Sequence, residues 1–511
     1  MLRRVPITRL FEVPLLVFLL GVTGAAMLVP AGFAALTGEG GLAESFAVTA
    51  GLVMVGALLL GVATTRYEPR NPERSQFLSL LGAYAVLPPI MAVPIAAPEL
   101  GLGFAGAWFE MLSAFTTTGA TLLVEPGSVA DVVHLWRALA GWLGGLFVLL
   151  VAIALLAPLN LGGLEVESGR PVGRAESGVP GGGALMDSST RMLHYLGLLA
   201  PLYAGLTAAL WLGLMVTGAQ PFVALCHAMS ILSSSGISPV GGVQHGESGR
   251  LGEALMLVFL VFALTRRSLP GRVQPDQRRA LRRDPELRMA VLVIGMLTLA
   301  LFLRHWLGAF ERDGATDLGA ALRALWGSVF TLTSFLTTTG FVSADWEGAR
   351  IWSGLATPGL LLAGLALLGG GVATTAGGIK LLRAVALYRH GRHEVEKLVH
   401  PSLVGGGGNR ARRLRGEGAY AAWVAFMLYL LSLATVLALL ALTGLRFEDA
   451  LILSIAAITT TGPLAGAVAD GALSYAALDT GQHAILGLAM VLGRLELLAI
   501  VVLMFPESWR G

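Results

Sequence analysis

Charge is the scarcest property of this chain. Only 13% of its 511 residues are Asp, Glu, Lys or Arg, about half of what a soluble globular protein of this size carries. Cysteine is nearly missing. The single Cys226 excludes an internal disulfide and any multi-cysteine metal site, and reads most simply as a small buried residue. The connections Leu122–His134 and Leu464–Gln482 contain acidic residues but no Lys or Arg. What fills the chain instead is hydrocarbon, with 55% hydrophobic residues and a mean hydropathy of +0.74. Apolar stretches of about 20 residues, enough to cross a bilayer, recur from end to end. Val13–Leu36, Phe46–Thr64, Leu135–Leu159, Leu193–Thr217, Met289–Leu307, Ala419–Leu445 and His483–Phe505 are examples. The class is an all-α integral membrane protein.

The little positive charge present is unevenly placed. Arg266, Arg267, Arg272, Arg278, Arg279, Arg282, Arg283 and Arg288 crowd one connection; Arg389, Arg392, Lys397, Arg410, Arg412, Arg413 and Arg415 crowd another, around Gly405–Gly408. Beside membrane spans such runs mark the cytoplasmic side rather than a nucleic-acid site. The two acidic connections then face outside. Strict alternation puts both termini in the cytoplasm, with Arg3 and Arg4 holding a retained first helix rather than a cleaved signal. Trp108, Trp136, Trp306, Trp346, Trp352 and Trp509 stand near predicted span ends, as interfacial tryptophans do.

A long-period repeat is the most informative feature. Thr116–Gly119, Ser233–Gly236, Thr337–Gly340 and Thr459–Gly462 each consist of three hydroxyl residues and a glycine. Each follows a short apolar segment, such as Trp108–Phe115 or Pro221–Leu232, and lies between two full spans on the side assigned to the outside. One such tetrapeptide would be a packing motif; four in matching places call for a shared function. Non-helical backbone at membrane depth survives only where it is buried in protein or lines water. A glycine after the hydroxyls permits backbone geometry closed to other residues. Four loops about one axis can offer rings of carbonyl oxygens that replace the hydration shell of a monovalent cation. The hydroxyls add ligands or brace the loops, and the short helices aim their negative ends at the path. The candidate K+ ligands are Thr117, Thr118, Gly119, Ser234, Ser235, Gly236, Thr338, Thr339, Gly340, Thr460, Thr461 and Gly462. Nothing here suits an anion, and no residue suggests a cofactor.

These loops, with the flanking Phe109–Thr121, Trp142–Gly145, Ala373–Lys380 and Leu492–Glu496, resemble the TrkH-type potassium-translocating subunits of the Trk/Ktr/HKT superfamily. The resemblance covers nearly the whole chain. It implies four covalently joined M1–pore helix–M2 repeats around a central pore, preceded by two extra N-terminal transmembrane helices. On that scheme the N-terminal pair covers residues 1–72, and the repeats cover 73–165, 166–270, 271–400 and 401–511. It further implies K+ (and Rb+) uptake across a bacterial inner membrane, a homodimer, and a cytosolic nucleotide-binding regulatory subunit of the TrkA (RCK) type. The second loop departs from the common family pattern, reading Ser-Ser-Gly-Ile, and the fourth reads Thr-Thr-Gly-Pro. In plant relatives a serine at the first filter glycine goes with Na+ transport; Gly119 points to K+.

Two further features lie in the apolar stretches. Gly369–Gly378 has five glycines in ten residues, which a continuous helix does not hold easily. It reads as a broken M2 helix, and the resemblance implies that the break is an intramembrane gate carried by Gly370, Gly371, Thr374, Thr375, Gly377, Gly378 and Lys380. Lys380 either anchors to lipid headgroups or contacts a neighbour. Arg494 lies about 16 Å from either end of the last span. A charge that deep is costly and marks function, so Arg494 is expected to reach the pore or the gate loop and set a barrier to flux. Glu110 is expected at the start of the first pore helix, in a structural role. Two rival readings are weaker. Gly246–Gly249 mimics the serine motif of an intramembrane protease but lies in a polar connection, with no partner histidine in a span. An alternating-access carrier would show inverted repeats, whereas these four units share one orientation. A Na+-passing or unselective cation path of the same fold is the nearer alternative.

Overall fold

The computed structural model describes residues 14–64, 72–96, 101–157, 163, 188–268, 281–308, 318–354, 358–399, 409–468 and 473–495. Among them, the regular structure is helical throughout. In hydrocarbon every backbone N–H and C=O must be paired within its own segment, and a helix does this. Helix α1 (Leu15–Thr37) and helix α2 (Gly40–Thr64) form a hairpin. Gly38 turns the corner at φ 84°, a left-handed conformation suited to glycine. Leu52, Leu58, Leu59 and Val62 of α2 are exposed, and only 17% of its apolar window is buried. On a water-soluble protein such a face would be a defect; here it is the lipid surface.

The remaining helices alternate long and short. A long helix α3 (Pro72–Ala92) precedes the short α4 (Gly103–Phe115) and the long α5 (Asp131–Val151), which continues as a π-helical turn over Ala152–Leu156. Next come α6 (Ser188–Val216), the short α7 (Pro221–Ser233) and α8 (Gly249–Leu264). Helix α9 (Pro285–Gly308) leads to α10 (Leu318–Leu336). After it come an eight-residue surface helix α11 (Trp346–Ser353) and two separate helices, α12 (Pro358–Leu368) and α13 (Leu381–Val399). The last group is α14 (Asn409–Leu442), α15 (Phe447–Ile458) and α16 (Thr480–Arg494). Among the described residues, seven helices are long and apolar enough to cross a bilayer. Helix α8 is shorter, α12 and α13 are the two halves of a break, and α16 ends where the described residues end.

Burial separates centre from rim. The α5 window is 78% buried, and residues Gly106–Phe115 of α4 are buried except Trp108. Several expectations need adjustment. Trp136 is not interfacial: it is fully buried, its ring meets Phe46 edge-on at 5.8 Å, and its Nε1 donates to the Met91 carbonyl at 3.0 Å. The second basic cluster is mostly helical, since Arg389 and Arg392 lie on α13 and 410–415 on the first turns of α14. Arg272, Arg278, Arg279, Gly405–Gly408, Glu496 and Trp509 lie outside the described residues.

Candidate functional site

Helices α4, α7, α10 and α15 each end at a hydroxyl run, and the four runs share one geometry. The second hydroxyl residue is left-handed in every case: Thr117 at φ 54°, Ser234 at 52°, Thr338 at 57° and Thr460 at 54°. For a β-branched residue this costs about 1–3 kcal/mol, so the surroundings must impose it. They do so identically. The third hydroxyl residue returns its N–H to the carbonyl five residues back: Thr118 to Ser113, Ser235 to Ser230, Thr339 to Ser334 and Thr461 to Ala456, at 2.8–3.0 Å. The first and third hydroxyls bond each other across the turn, Thr116 to Thr118 at 2.8 Å, Ser233 to Ser235 at 3.0 Å, Thr337 to Thr339 at 3.1 Å and Thr459 to Thr461 at 3.0 Å. These hydroxyls hold the loop from behind.

The glycines close the four loops into a ring in chain order. A Cβ on Gly119 would strike the Ser235 carbonyl, one on Gly236 the Thr339 carbonyl, and one on Gly462 the backbone of Ala120; at Gly340 it would press on Pro463 at 3.1 Å. Loop one thus abuts two, two abuts three, three abuts four, and four returns to one. Gly119, Gly236 and Gly340 also have positive φ. Gly462 does not, because Pro463 follows and a residue before proline is pushed to extended geometry; lack of room alone demands glycine there. The ring is tight: the Gly462 N–H donates to the Thr118 carbonyl at 2.6 Å.

Behind each loop, on the side away from α12 and α13, stands a buried polar group. Glu110 accepts from Thr121 Oγ1 at 2.8 Å and from the Leu122 N–H, and pairs with Arg137 at 2.8 Å. Glu110 sits in the second half of α4, not at its start, because the helix begins at Gly103; its role is structural as expected. His227 Nε2 bonds Ser238 behind loop two at 2.8 Å. Glu253 holds Ser343 and Ala344 after loop three. Tyr475 donates its hydroxyl to the Gly462 carbonyl at 3.0 Å. Sequence reading missed Glu253, which lies 90 residues from the Ser343 it holds, and also His227 and Tyr475, which lie 11 and 13 residues from their partners but have no spacing that marks them as braces.

The glycine-rich break joins the same ring. Helix α12 stops at Gly369 (φ 73°) and α13 starts after Lys380 (φ 84°), so residues 369–380 form a loop under the hydroxyl runs. Its Gly377 N–H donates to Thr338 Oγ1 at 2.7 Å, and Gly377 is packed against the Thr459 carbonyl. Thr375 Oγ1 donates to the Leu232 carbonyl at 3.3 Å. On the other side Gly371 N–H and Thr374 Oγ1 both donate to the Ala263 carbonyl, at 3.0 and 3.1 Å. The Val372 N–H donates to Glu286 at 2.7 Å. Gly370 and Gly378 pack directly on Ala263 and Gly369 backbone. Lys380 contacts a neighbour rather than reaching out: its Nζ donates to the Ala376 carbonyl.

Arg494 bridges ring and loop. Its Nε donates to the Thr116 carbonyl at 2.5 Å, Nη2 to the Thr117 carbonyl at 3.5 Å, and Nη1 to the Thr375 carbonyl at 2.5 Å. Packing explains the reach: Gly493 lets α16 lie directly on the Ile458 carbonyl, as Gly144 lets α5 lie on the Phe115 carbonyl. The next residue is Gly145 in one case and Arg494 in the other. A small, partly open recess borders the 369–380 loop, lined by Tyr84, Ala376, Lys380, Arg383, Tyr429 and Arg494 among others. The protease-like motif dissolves here. Ser248 does precede a helix, α8, but the nearby His227 gives its Nε2 to Ser238 instead.

Comparison with known proteins gives a consistent picture. Residues 255–510 match the family model "TrkH: Cation transport protein". The Trk system potassium uptake protein TrkH of Salmonella typhimurium is 30% identical over 514 residues, covering 99% of each chain. The Trk system potassium uptake protein TrkI of Halomonas elongata is 27% identical, covering 92% of this chain and 90% of its own. The crystal structure of the potassium transporter TrkH from Vibrio parahaemolyticus superposes with a TM-score of 0.77 at 24% identity, over 99% of this chain and all of that one. At that identity the superposition speaks for the fold.

Proposed function

The chain belongs to the TrkH family of cation transport proteins, and on that premise we propose that it takes up K+ through the ring of four hydroxyl–glycine loops. The protein is a multi-pass membrane transporter, not an enzyme. The observation that carries the ion path is the fourfold equivalence of the loops. Four strained turns, tied back by the same bonds and closed in chain order, have no packing purpose that one helix end would not serve as well. With hydroxyls one and three engaged behind, carbonyl oxygens are left to meet an ion, joined in loop one by the Thr117 hydroxyl, which is buried without a partner among the described residues; the other second hydroxyls are bonded, Ser234 to the Ser233 carbonyl, Thr338 to the Gly377 N–H and Thr460 to the Thr459 carbonyl. A dehydrated monovalent cation is the ligand such oxygens suit.

The 369–380 loop is the gate in this reading, and Arg494 is its latch. The loop touches runs three and four directly, run two at Leu232 just before it, and run one through Arg494, so a cation leaving the ring must displace it. Gly370, Gly371, Gly377 and Gly378 let the loop lie directly against neighbouring backbone, while Thr374 and Thr375 bond it to the Ala263 and Leu232 carbonyls and Lys380 ties it to its own Ala376. Both termini face the cytoplasm of a bacterial inner membrane, with lipid covering the α1–α2 hairpin. A second copy and a cytosolic nucleotide-binding subunit of the TrkA (RCK) type complete the system, docking on the basic ends of α9, α13 and α14. The test is flux through purified protein in liposomes, comparing K+, Rb+ and Na+ at fixed potential, with Gly119→Ser alongside. K+ and Rb+ should exceed Na+, and the substitution should erode that preference. Equal Na+ flux in the unaltered protein would replace the K+ assignment with an unselective path.

A further inference from the structure

Two of the four braces behind the ring are carboxylates, and they differ in charge balance. Glu110 and Glu253 are both 1% exposed. Each clasps the segment just past its glycine through one hydroxyl and one backbone N–H: Thr121 and Leu122 for Glu110, Ser343 and Ala344 for Glu253. Loops one and three face each other across the ring, so the two carboxylates flank the same mouth, the one away from the 369–380 loop. Glu110 is neutralised by Arg137 at 2.8 Å. Glu253 has no ion pair among the described residues; its third donor is the neutral indole of Trp326, at 2.7 Å. Arg250 sits one turn earlier on α8. It is spent on Asp345, which it grips through Nε at 2.6 Å and Nη2 at 3.1 Å. Arg250 pairs with Asp345 and Arg137 with Glu110, which leaves Glu253 as the brace carboxylate without an ion pair among the described residues.

We propose that Glu253 sets the cation affinity of the ring: besides positioning loop three, its uncompensated carboxylate raises the K+ affinity of the mouth. This rests on the ring being the cation path. The physical reason is location. A charge in protein, out of water and salt, acts over longer range than a surface charge. The donors around it, an indole, a hydroxyl and an amide, satisfy its lone pairs without cancelling its charge. An asymmetric ring follows, in which the loop-three side of the mouth is more negative than the loop-one side. A cation entering there is stabilised before its last waters are lost.

The test reads K+ binding rather than flux, so that a closed gate does not obscure it. Thermal stability of the detergent-purified protein is followed as K+ replaces choline at constant ionic strength; a cation bound only to the folded state raises Tm with its concentration. Glu253→Gln keeps shape and removes charge. It should raise the half-stabilising K+ concentration about three- to tenfold. Glu253→Asp keeps charge and shortens the brace, and should stay closer to the parent. Arg250→Gln leaves Asp345 unbalanced and should shift the concentration the opposite way, about twofold, since that pair is exposed. A merely structural defect would not give shifts of opposite sign. If Gln and Asp shift the value equally, or Gln is silent, Glu253 is a brace and nothing more. If K+ does not stabilise the unaltered protein beyond choline, the ring itself is not a K+ site and the transport reading fails first.

Discussion

Arg494 and Glu110 carry opposite lessons about a charge placed deep in the bundle. Arg494 spends its donors on carbonyls of Thr116, Thr117 and Thr375, groups that belong to the first hydroxyl run and to the 369–380 loop. A hydrogen bond from a charged donor contributes about 1.5–3 kcal/mol, so Arg494→Ala should raise the open population, and K+ flux in liposomes, roughly 10- to 100-fold. Arg494→Lys should fall between, because one ammonium cannot span three carbonyls of a divided cradle. Unchanged flux in Arg494→Ala would remove the latch. Glu110 instead meets a fixed partner, Arg137, inside the core. Removing one member of a buried pair strands the other, at a cost of about 3–5 kcal/mol. Glu110→Ala should therefore show a large loss of thermal stability, and a stability equal to the parent's would mean that Arg137 finds another anion.

At the scale of elements, the 369–380 loop is bonded to several neighbours at once, through Leu232, Ala263, Glu286, Thr338 and Arg494. Its anchors are Thr338 on the ring side and Glu286 at the first turn of α9. Either Thr338→Val or Glu286→Ala leaves a buried backbone N–H without its acceptor, which costs about 1–3 kcal/mol in the closed arrangement. Both should raise K+ flux, whereas Thr338→Ser, which keeps the oxygen, should not; the comparison of Val with Ser at this one position decides it. The Glu286 contact has a wider consequence. Ala263 at the end of α8 and Glu286 at the start of α9 both grip the loop, and the arginine-rich connection lies between them in sequence. A partner pulling on that connection would act on the gate through two bonds rather than through a long relay.

For the whole molecule, the buried Cys226 is a practical gift, since the chain is already close to a cysteine-free background. Gly127 and Arg283 are both exposed, Gly127 between α4 and α5 and Arg283 just before α9. In intact cells, Gly127→Cys should react with a membrane-impermeant maleimide and Arg283→Cys should react only after lysis. The reverse pattern would invert the topology and move the basic clusters outside.

Much of this protein was legible without coordinates. Membrane class, spans, the four loops and the break at Gly369–Gly378 all follow from local composition, because bilayer thickness and backbone pairing constrain each segment on its own. What the sequence could not supply is which residues meet. The left-handed second hydroxyl, the chain-order ring through Gly119, Gly236, Gly340 and Gly462, the landing of Arg494 on Thr116 and Thr375, and the uncompensated Glu253 behind loop three join residues up to 378 positions apart. Trp136, read as interfacial from its place near a span end, was claimed by the core for the same reason. Those pairings are set by how helices pack around one another, and only the tertiary structure decided them.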